Sequence, residues 1–172
     1  MPAARRRHVK PTSSWKEAIA DRIRRVRSDL GVTAKALPSP VASLESARFT
    51  PTLQHVIATA GWANRHPLWV MYGRNADAPW DPRFESPAFL VAVRRELRRA
   101  RLDKGLSTTD IAHRARASQS SVCRWESGEY ERVNLAQWDL ALRALGLTWD
   151  ELLQRALEDV DEHTDSGGAA GA

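Results

Sequence analysis

The chain has 172 residues, of which 42% are hydrophobic and 27% charged, and its formal net charge is +5. These values are ordinary for a soluble globular protein and leave room for one or two small domains. The single cysteine, Cys123, excludes an intramolecular disulfide, and no Cys/His group has the spacing of a zinc site. No apolar run approaches the roughly 18 residues of a membrane span, so we expect a cytoplasmic protein without a metal or a membrane partner.

The two ends of the chain carry opposite charge. Residues 1–12 are basic, and four cations lie there: Arg5, Arg6, Arg7 and Lys10. Residues 159–172 are acidic at first and end in glycines and alanines. We expect a flexible arm at one end and a disordered tail that buries nothing at the other. A positive arm favours a polyanion such as DNA, whereas an acidic tail usually stays solvated.

Between these ends the pattern predicts an all-α protein in two parts. A stretch rich in proline, aspartate and asparagine at residues 75–85 is interpreted as a linker. It separates a first helical region, residues 13–74, from a second one, residues 86–158. In the second region, apolar residues recur at helical spacing through five short helices.

Helix-capping residues define the ends of the helices in the second region. Serine, asparagine and threonine side chains accept hydrogen bonds from the first turn of a helix, and glycine ends one without strain. The predicted starts are Ser86, Ser107, Ser118, Asn134 and Thr148, and the predicted stops are Gly105, Gly128 and Gly146. The second helix begins with a capping box, since Asp110 follows Ser107 by three residues.

The second and third of these helices have the spacing of a helix-turn-helix. A tight turn joins two short amphipathic segments, and the second segment begins with small polar residues, which can approach base edges in the major groove. On this segment Gln119, Ser120 and Arg124 lie opposite the apolar Val122 and Trp125. Glutamine can pair with adenine and arginine with guanine, so these three are the candidate base-reading residues. The alternative is that they are ordinary solvated helix residues.

Other side chains of the same segment suit the DNA backbone. Helix N-termini carry partial positive charge and free N–H donors, which favour phosphate. The candidate phosphate contacts are Thr108, Arg116, Ser118 and Ser121. Simple helix capping is the alternative role for the serines and the threonine, and the two roles can coexist.

Residues from about Phe89 to Leu153 resemble the phage-repressor-type helix-turn-helix family, also called the XRE family. The resemblance rests on Arg101 four residues before Gly105, on the run 124–128 (RWESG) and on the run 144–147 (ALGL). It implies a partly buried structural ion pair between Arg101 and Glu126. Two positions depart from the family pattern: Arg116 stands where glycine is usual, and Thr108 stands where glutamine is usual.

The first region resembles a truncated copy of the same unit. Arg27 precedes Gly31 as Arg101 precedes Gly105, and the run 67–73 is similar to the family's closing helix. About seven residues are missing where the second helix and the turn belong. We therefore interpret the chain as two tandem repeats of a five-helix type, the first of them degenerate.

In the first region, the positions that correspond to the base-reading residues carry different side chains. Pro38, Ser39 and Ser43 occupy the positions of the three base-reading residues, and such side chains can barely reach a base edge. The expected roles of this region are packing, dimerisation or the binding of a protein partner. Trp62, Trp69 and Met71 are the candidates for a dimer surface.

These features predict a bacterial-type transcriptional regulator that binds double-stranded DNA as a homodimer, with repression as the default mode. The alternative is an antitoxin or antiactivator that binds a protein through its first region and regulates its own promoter. The histidines are scattered singly and no catalytic constellation is present, so no enzymatic activity and no cofactor are expected.

Overall fold

A computed structural model describes residues 11–47, 50–74, 78–128 and 134–168, and these residues are helical with short connections. The α-helices are Pro11–Asp29 (α1), Ser39–Glu45 (α2), Leu53–Ala63 (α3), Pro67–Tyr72 (α4), Pro87–Asp103 (α5), Thr108–Ala115 (α6), Gln119–Ser127 (α7), Leu135–Leu145 (α8) and Trp149–Gly168 (α9). Short 3-10 helices span Ala34–Ala36 and Pro82–Glu85. The described residues contain no β-strand, so the predicted all-α class is confirmed.

The helix starts predicted in the second half are confirmed, because the capping side chains accept the expected hydrogen bonds. The Ser86 hydroxyl accepts from the backbone N–H of Phe89 at 3.1 Å, and the Asn134 side chain accepts from that of Ala136 at 2.8 Å. The Thr148 hydroxyl accepts from the N–H of Glu151 at 3.2 Å. Each of these bonds involves residues two or three positions apart, so the local sequence is sufficient to specify it.

The two halves differ in the segment that follows their first long helix, α1 or α5. Where the second half has the eight residues of α6, the first half has only the 3-10 turn Ala34–Ala36. The helix that follows, α2, has seven residues and buries Val41 and Leu44. The first half is therefore a smaller unit with a shortened centre.

One hydrophobic core runs through both halves of the described chain, from Ile19 in α1 to Val160 in α9. Phe84 lies where the halves meet and is 1% exposed. Its ring packs edge-on against His66 of the first half at 5.3 Å and against Phe89 of the second half at 5.0 Å, measured between centroids. Trp80 adds a third ring at 5.4 Å.

The interpretation of residues 75–85 as a plain linker is therefore wrong at its C-terminal end. Residues 75–77 lie outside the described residues, but Pro82–Glu85 form a 3-10 turn that begins with Asp81 accepting a hydrogen bond from the N–H of Arg83. Proline and aspartate favour such a turn as readily as an open loop. The turn directs Phe84 into the core.

The expectation of a tail that buries nothing from residue 159 onward is also wrong. Helix α9 continues to Gly168, and Asp159 and Val160 are only 6% and 8% exposed. Val160 continues the apolar face of Leu152 and Ala156 at intervals of four residues. The Asp159 carboxylate accepts a hydrogen bond from Arg95 of α5 at 2.6 Å. The acidic residues on the opposite face of the helix made this amphipathic pattern difficult to recognise in the sequence.

At the other end, the four basic residues Arg5, Arg6, Arg7 and Lys10 lie outside the described residues. Residues 11 and 12, which were included in the predicted arm, belong to α1.

Replacing Phe84 with alanine should lower the free energy of unfolding by about 3–5 kcal/mol, because it removes a fully buried ring and leaves a cavity. Both halves should unfold in one transition, since Phe84 contacts rings from each. Denaturant titration followed by circular dichroism measures both effects. The control is Leu102→Ala, at a position 56% exposed, which should change stability by less than about 0.5 kcal/mol. Two separate transitions in the wild-type protein would contradict the shared core.

Candidate nucleic-acid interface

Helix α6 begins with a complete capping box. The Ser107 hydroxyl accepts from the backbone N–H of Asp110 at 3.1 Å, and the Asp110 carboxylate accepts from the backbone N–H of Ser107 at 2.8 Å. The Ser107 hydroxyl also donates to the Asp110 carboxylate at 2.6 Å. This bond, followed by the one from the backbone N–H of Ser107, lowers the pKa of the Asp110 carboxyl. Ser107 and Asp110 thus fix the N-terminus of the helix that precedes the turn.

The turn between α6 and α7 has a left-handed residue that is not glycine. Arg116 has φ +52° and ψ +44°, and its N–H donates to the carbonyl of His113 at 3.3 Å. Ala117 donates to the carbonyl of Ala112 at 2.9 Å, which closes the turn. Left-handed backbone geometry raises the free energy of a residue that has a Cβ atom, whereas glycine adopts it without that cost. The side chain of Arg116 is exposed beside the N-terminus of α7.

Helix α7 presents a polar face to solvent and an apolar face to the core. Val122 and Trp125 are each 1% exposed. Gln119, Ser120 and Arg124 are all exposed on the other side of the helix. The structure therefore brings the three candidate base-reading residues to one accessible surface.

A cluster of three serine hydroxyls occupies the first turn of α7. The Ser118 hydroxyl accepts from the backbone N–H of Ser121 at 3.1 Å and so caps the helix. It also lies 2.9 Å from the hydroxyl of Ser120 and 2.8 Å from that of Ser121. A hydroxyl can donate or accept by rotation, so this cluster can exchange its internal bonds for bonds to an anion.

A side-chain contact connects the starts of α6 and α7. The Gln119 amide donates to the Thr108 hydroxyl at 3.4 Å. The contact brings a candidate base-reading residue next to a candidate phosphate contact, although they are eleven positions apart in sequence. The N-termini of both helices therefore meet at one surface, where their partial positive charges favour an anion.

An ion pair fixes the orientation of this surface. Arg101 of α5 binds Glu126 of α7 through two hydrogen bonds, from Nε to Oε1 at 2.6 Å and from Nη2 to Oε2 at 2.8 Å. A third bond runs from its Nη1 to the carbonyl of Leu106 at 2.8 Å. Both side chains are 10% exposed. One guanidinium thus ties α5 to α7 and to the segment that leads into α6.

Cys123 was not among the candidate contact residues, yet it lies on the exposed face of α7. It follows Gln119 by four positions, which places the two side chains one above the other on the helix surface. The helical period counted from Gln119 would have identified it.

Comparison with known proteins agrees with this geometry. Residues 92–156 match a family model described as a helix-turn-helix domain. No curated protein and no solved structure gave a significant match to the chain. The matched residues extend from α5 into α9 and include α6, α7 and the turn between them. This part of the chain is therefore similar to helix-turn-helix domains, and the similarity indicates a DNA-binding regulator, from a class that is typically not enzymatic.

Within the described ranges, none of the helices is long and apolar enough to cross a membrane. Those same ranges contain no group of histidine, cysteine, aspartate and glutamate side chains that could hold a metal ion.

Replacing Glu126 with alanine should destabilise the protein by about 3 kcal/mol, because it leaves the Arg101 guanidinium buried without its counter-charge. Thermal and denaturant unfolding measure the loss. Glu126→Gln is the matched control, since it keeps the shape and one acceptor and should recover part of the stability. Equal stability of wild type and Glu126→Ala would show that the pair does not position α7.

Replacing Arg116 with glycine should raise the free energy of unfolding by about 1 kcal/mol, since glycine adopts a positive φ without steric cost. Arg116→Asn should fall between the two, because asparagine tolerates this conformation better than arginine does. The measurement is the midpoint of denaturant unfolding for the three proteins. A lower midpoint for the glycine variant would mean that the Arg116 side chain stabilises the fold by more than the strain costs.

Proposed function

We propose that this protein is a sequence-specific regulator of transcription, of the phage-repressor type, which binds double-stranded DNA with α7 in the major groove. The observation that carries the proposal is the division of α7 into a buried apolar face and an exposed polar face. Val122 and Trp125 hold the helix to the core, and the opposite face offers an amide and a guanidinium. That combination suits a helix that enters a groove and reads base edges.

Three residues have the reading role in this proposal. Arg124 makes a bidentate contact with guanine, Gln119 makes one with adenine, and Ser120 contributes a hydroxyl that can donate or accept. Gln119 and Ser120 are on the first turn of α7, and Arg124 is about one and a half turns further along. This arrangement spreads the contacts over neighbouring base pairs.

The DNA backbone is held by residues around the same helix starts. Thr108 begins α6, and Ser118 and Ser121 belong to the first turn of α7, so their hydroxyls and the nearby N–H groups favour phosphate oxygens. Arg116 adds a full positive charge from the turn. The basic residues Arg5, Arg6, Arg7 and Lys10 would supply further phosphate or minor-groove contacts from the N-terminal segment.

Repression is the default mode of such a protein, since covering a promoter requires no further chemistry.

A partner-binding role for the first half has less support. Met71 is fully buried, and Trp62 and Trp69 are partly buried and packed against the core. The apolar side chains predicted for a dimer surface therefore pack wholly or partly against the core of the same molecule.

Gln119→Ala and Arg124→Ala should each weaken binding to the preferred site by about 1–3 kcal/mol, or about fivefold to 150-fold, and relax the preference at one base position. Binding to unrelated DNA should hardly change. Selection from random-sequence duplexes followed by competition titration measures both effects.

The matched control for these variants is Gln154→Ala, on the exposed face of α9, which should leave affinity and preference unchanged. If both α7 variants select and bind the same site as tightly as wild type, α7 is not the reading helix.

A further inference from the structure

We infer that this chain is an internal pseudo-dimer, in which the first half occupies the place of a second subunit. It has one reading head, by which we mean a helix-turn-helix with long polar side chains at the base-reading positions. One chain therefore binds one asymmetric DNA half-site. The inference about DNA rests on the proposed function. The inference about the pseudo-dimer rests on contacts that repeat within the two halves and on the contacts between them, and it is independent of DNA.

The first line of evidence is an ion pair that occurs twice. Arg27 Nε donates to Glu45 Oε1 at 2.8 Å, and its Nη1 donates to the carbonyl of Val32 at 3.2 Å. Arg101 makes the same contacts with Glu126 and with the carbonyl of Leu106. In both halves, the bonded carbonyl is five residues after the arginine, and the glycine between them has φ +64°. A network this specific indicates two copies of one structural unit.

The second line of evidence is a common pattern of helix ends. Helices α3 and α8 each have eleven residues and each ends at a left-handed residue, Asn64 with φ +49° and Gly146 with φ +63°. The next helix starts two residues later in each half, at His66 and at Thr148, whose side chains accept from the following turn. Every one of these positions in the first half precedes its counterpart by 82 residues.

The third line of evidence is that equivalent residues touch each other. Thr52 and Asn134 begin α3 and α8, are themselves 82 positions apart, and form an antiparallel bridge. The N–H of Leu135 donates to the carbonyl of Pro51 at 3.0 Å beside it. In an isologous interface, the residue on the two-fold axis meets its own copy. The bridge therefore marks a pseudo-two-fold axis between the two halves.

This arrangement has a consequence for symmetric dimerisation. The surface of the second half around Asn134 is covered by its counterpart in the first half, and the shared ring cluster around Phe84 closes the same junction. A second copy of the chain cannot use that surface. The chain already contains the partner that a symmetric dimer would recruit.

The two halves differ in their reading heads. The first half has the 3-10 turn Ala34–Ala36 instead of α6, and Ser43 takes the position of Arg124. The Ser43 hydroxyl donates to the carbonyl of Ser39 at 2.8 Å and so is used within its own helix. Only the second half thus offers long polar side chains at the reading positions, and the DNA site should have one specified half.

The pseudo-dimer itself is tested without DNA. Light scattering on the full chain should give a mass of 19.2 kDa, whereas twice that mass would overturn the inference. In a Cys123→Ser background, Thr52→Cys with Asn134→Cys should form a disulfide within one chain, because bridged antiparallel residues lie at a disulfide's Cα spacing. A covalent dimer on a non-reducing gel would overturn it.

The single reading head is tested on DNA selected from random duplexes. Native mass spectrometry should show one chain per duplex, and the selected motif should not be palindromic. Ser39→Ala and Ser43→Ala should select the same motif as wild type. Two chains on an inverted repeat, or a motif altered by either serine variant, would overturn the inference. Absence of any selected motif would instead overturn the proposed function, and the mass and disulfide results would still decide the pseudo-dimer.

Discussion

The bidentate pair between Arg101 and Glu126 is the interaction on which the candidate interface depends. Helix α7 is short, with nine residues, and would be only marginally stable by itself. Helix α7 is held in position by the packing of Val122 and Trp125 in the core and by the ion pair of Glu126 near its C-terminal end. Because the same guanidinium also binds the carbonyl of Leu106, the segment before α6 is fixed relative to α7. The starts of α6 and α7 lie close together, where the Gln119 amide donates to the Thr108 hydroxyl.

A similar ion pair in the first half, between Arg27 of α1 and Glu45 of α2, indicates that such a pair has a structural role. Arg27 and Glu45 keep the hydrogen bond through the arginine Nε, although the proposed counterparts of Gln119, Ser120 and Arg124 in this half have only short side chains. A contact that is present without long polar side chains on the neighbouring helix serves the fold. Its burial supports this role, since neither pair leaves its carboxylate more than 12% exposed. The pair therefore positions a helix, and the residues on the exposed side of that helix are free to differ between the halves.

The junction between the halves explains why the chain is one structural body. An isolated helix-turn-helix unit buries limited apolar area, because small domains keep much of their surface exposed. Here Phe84 and its neighbouring rings join two small cores into one, and the bridge between Thr52 and Asn134 satisfies backbone groups at the same junction. The first half contributes to stability through this junction.

The sequence by itself determined the features that depend on residues close together in the chain. Caps such as Ser86, Ser107 and Ser118, and the polar face of α7, follow from hydrogen bonds and periodicities within a few positions. Tertiary structure alone decided where the halves meet, that Phe84 turns inward, and that α9 continues past Asp159. Each of these depends on what lies opposite a residue: Asp159 is buried because Arg95 of α5 faces it, and local sequence carries no information about that partner.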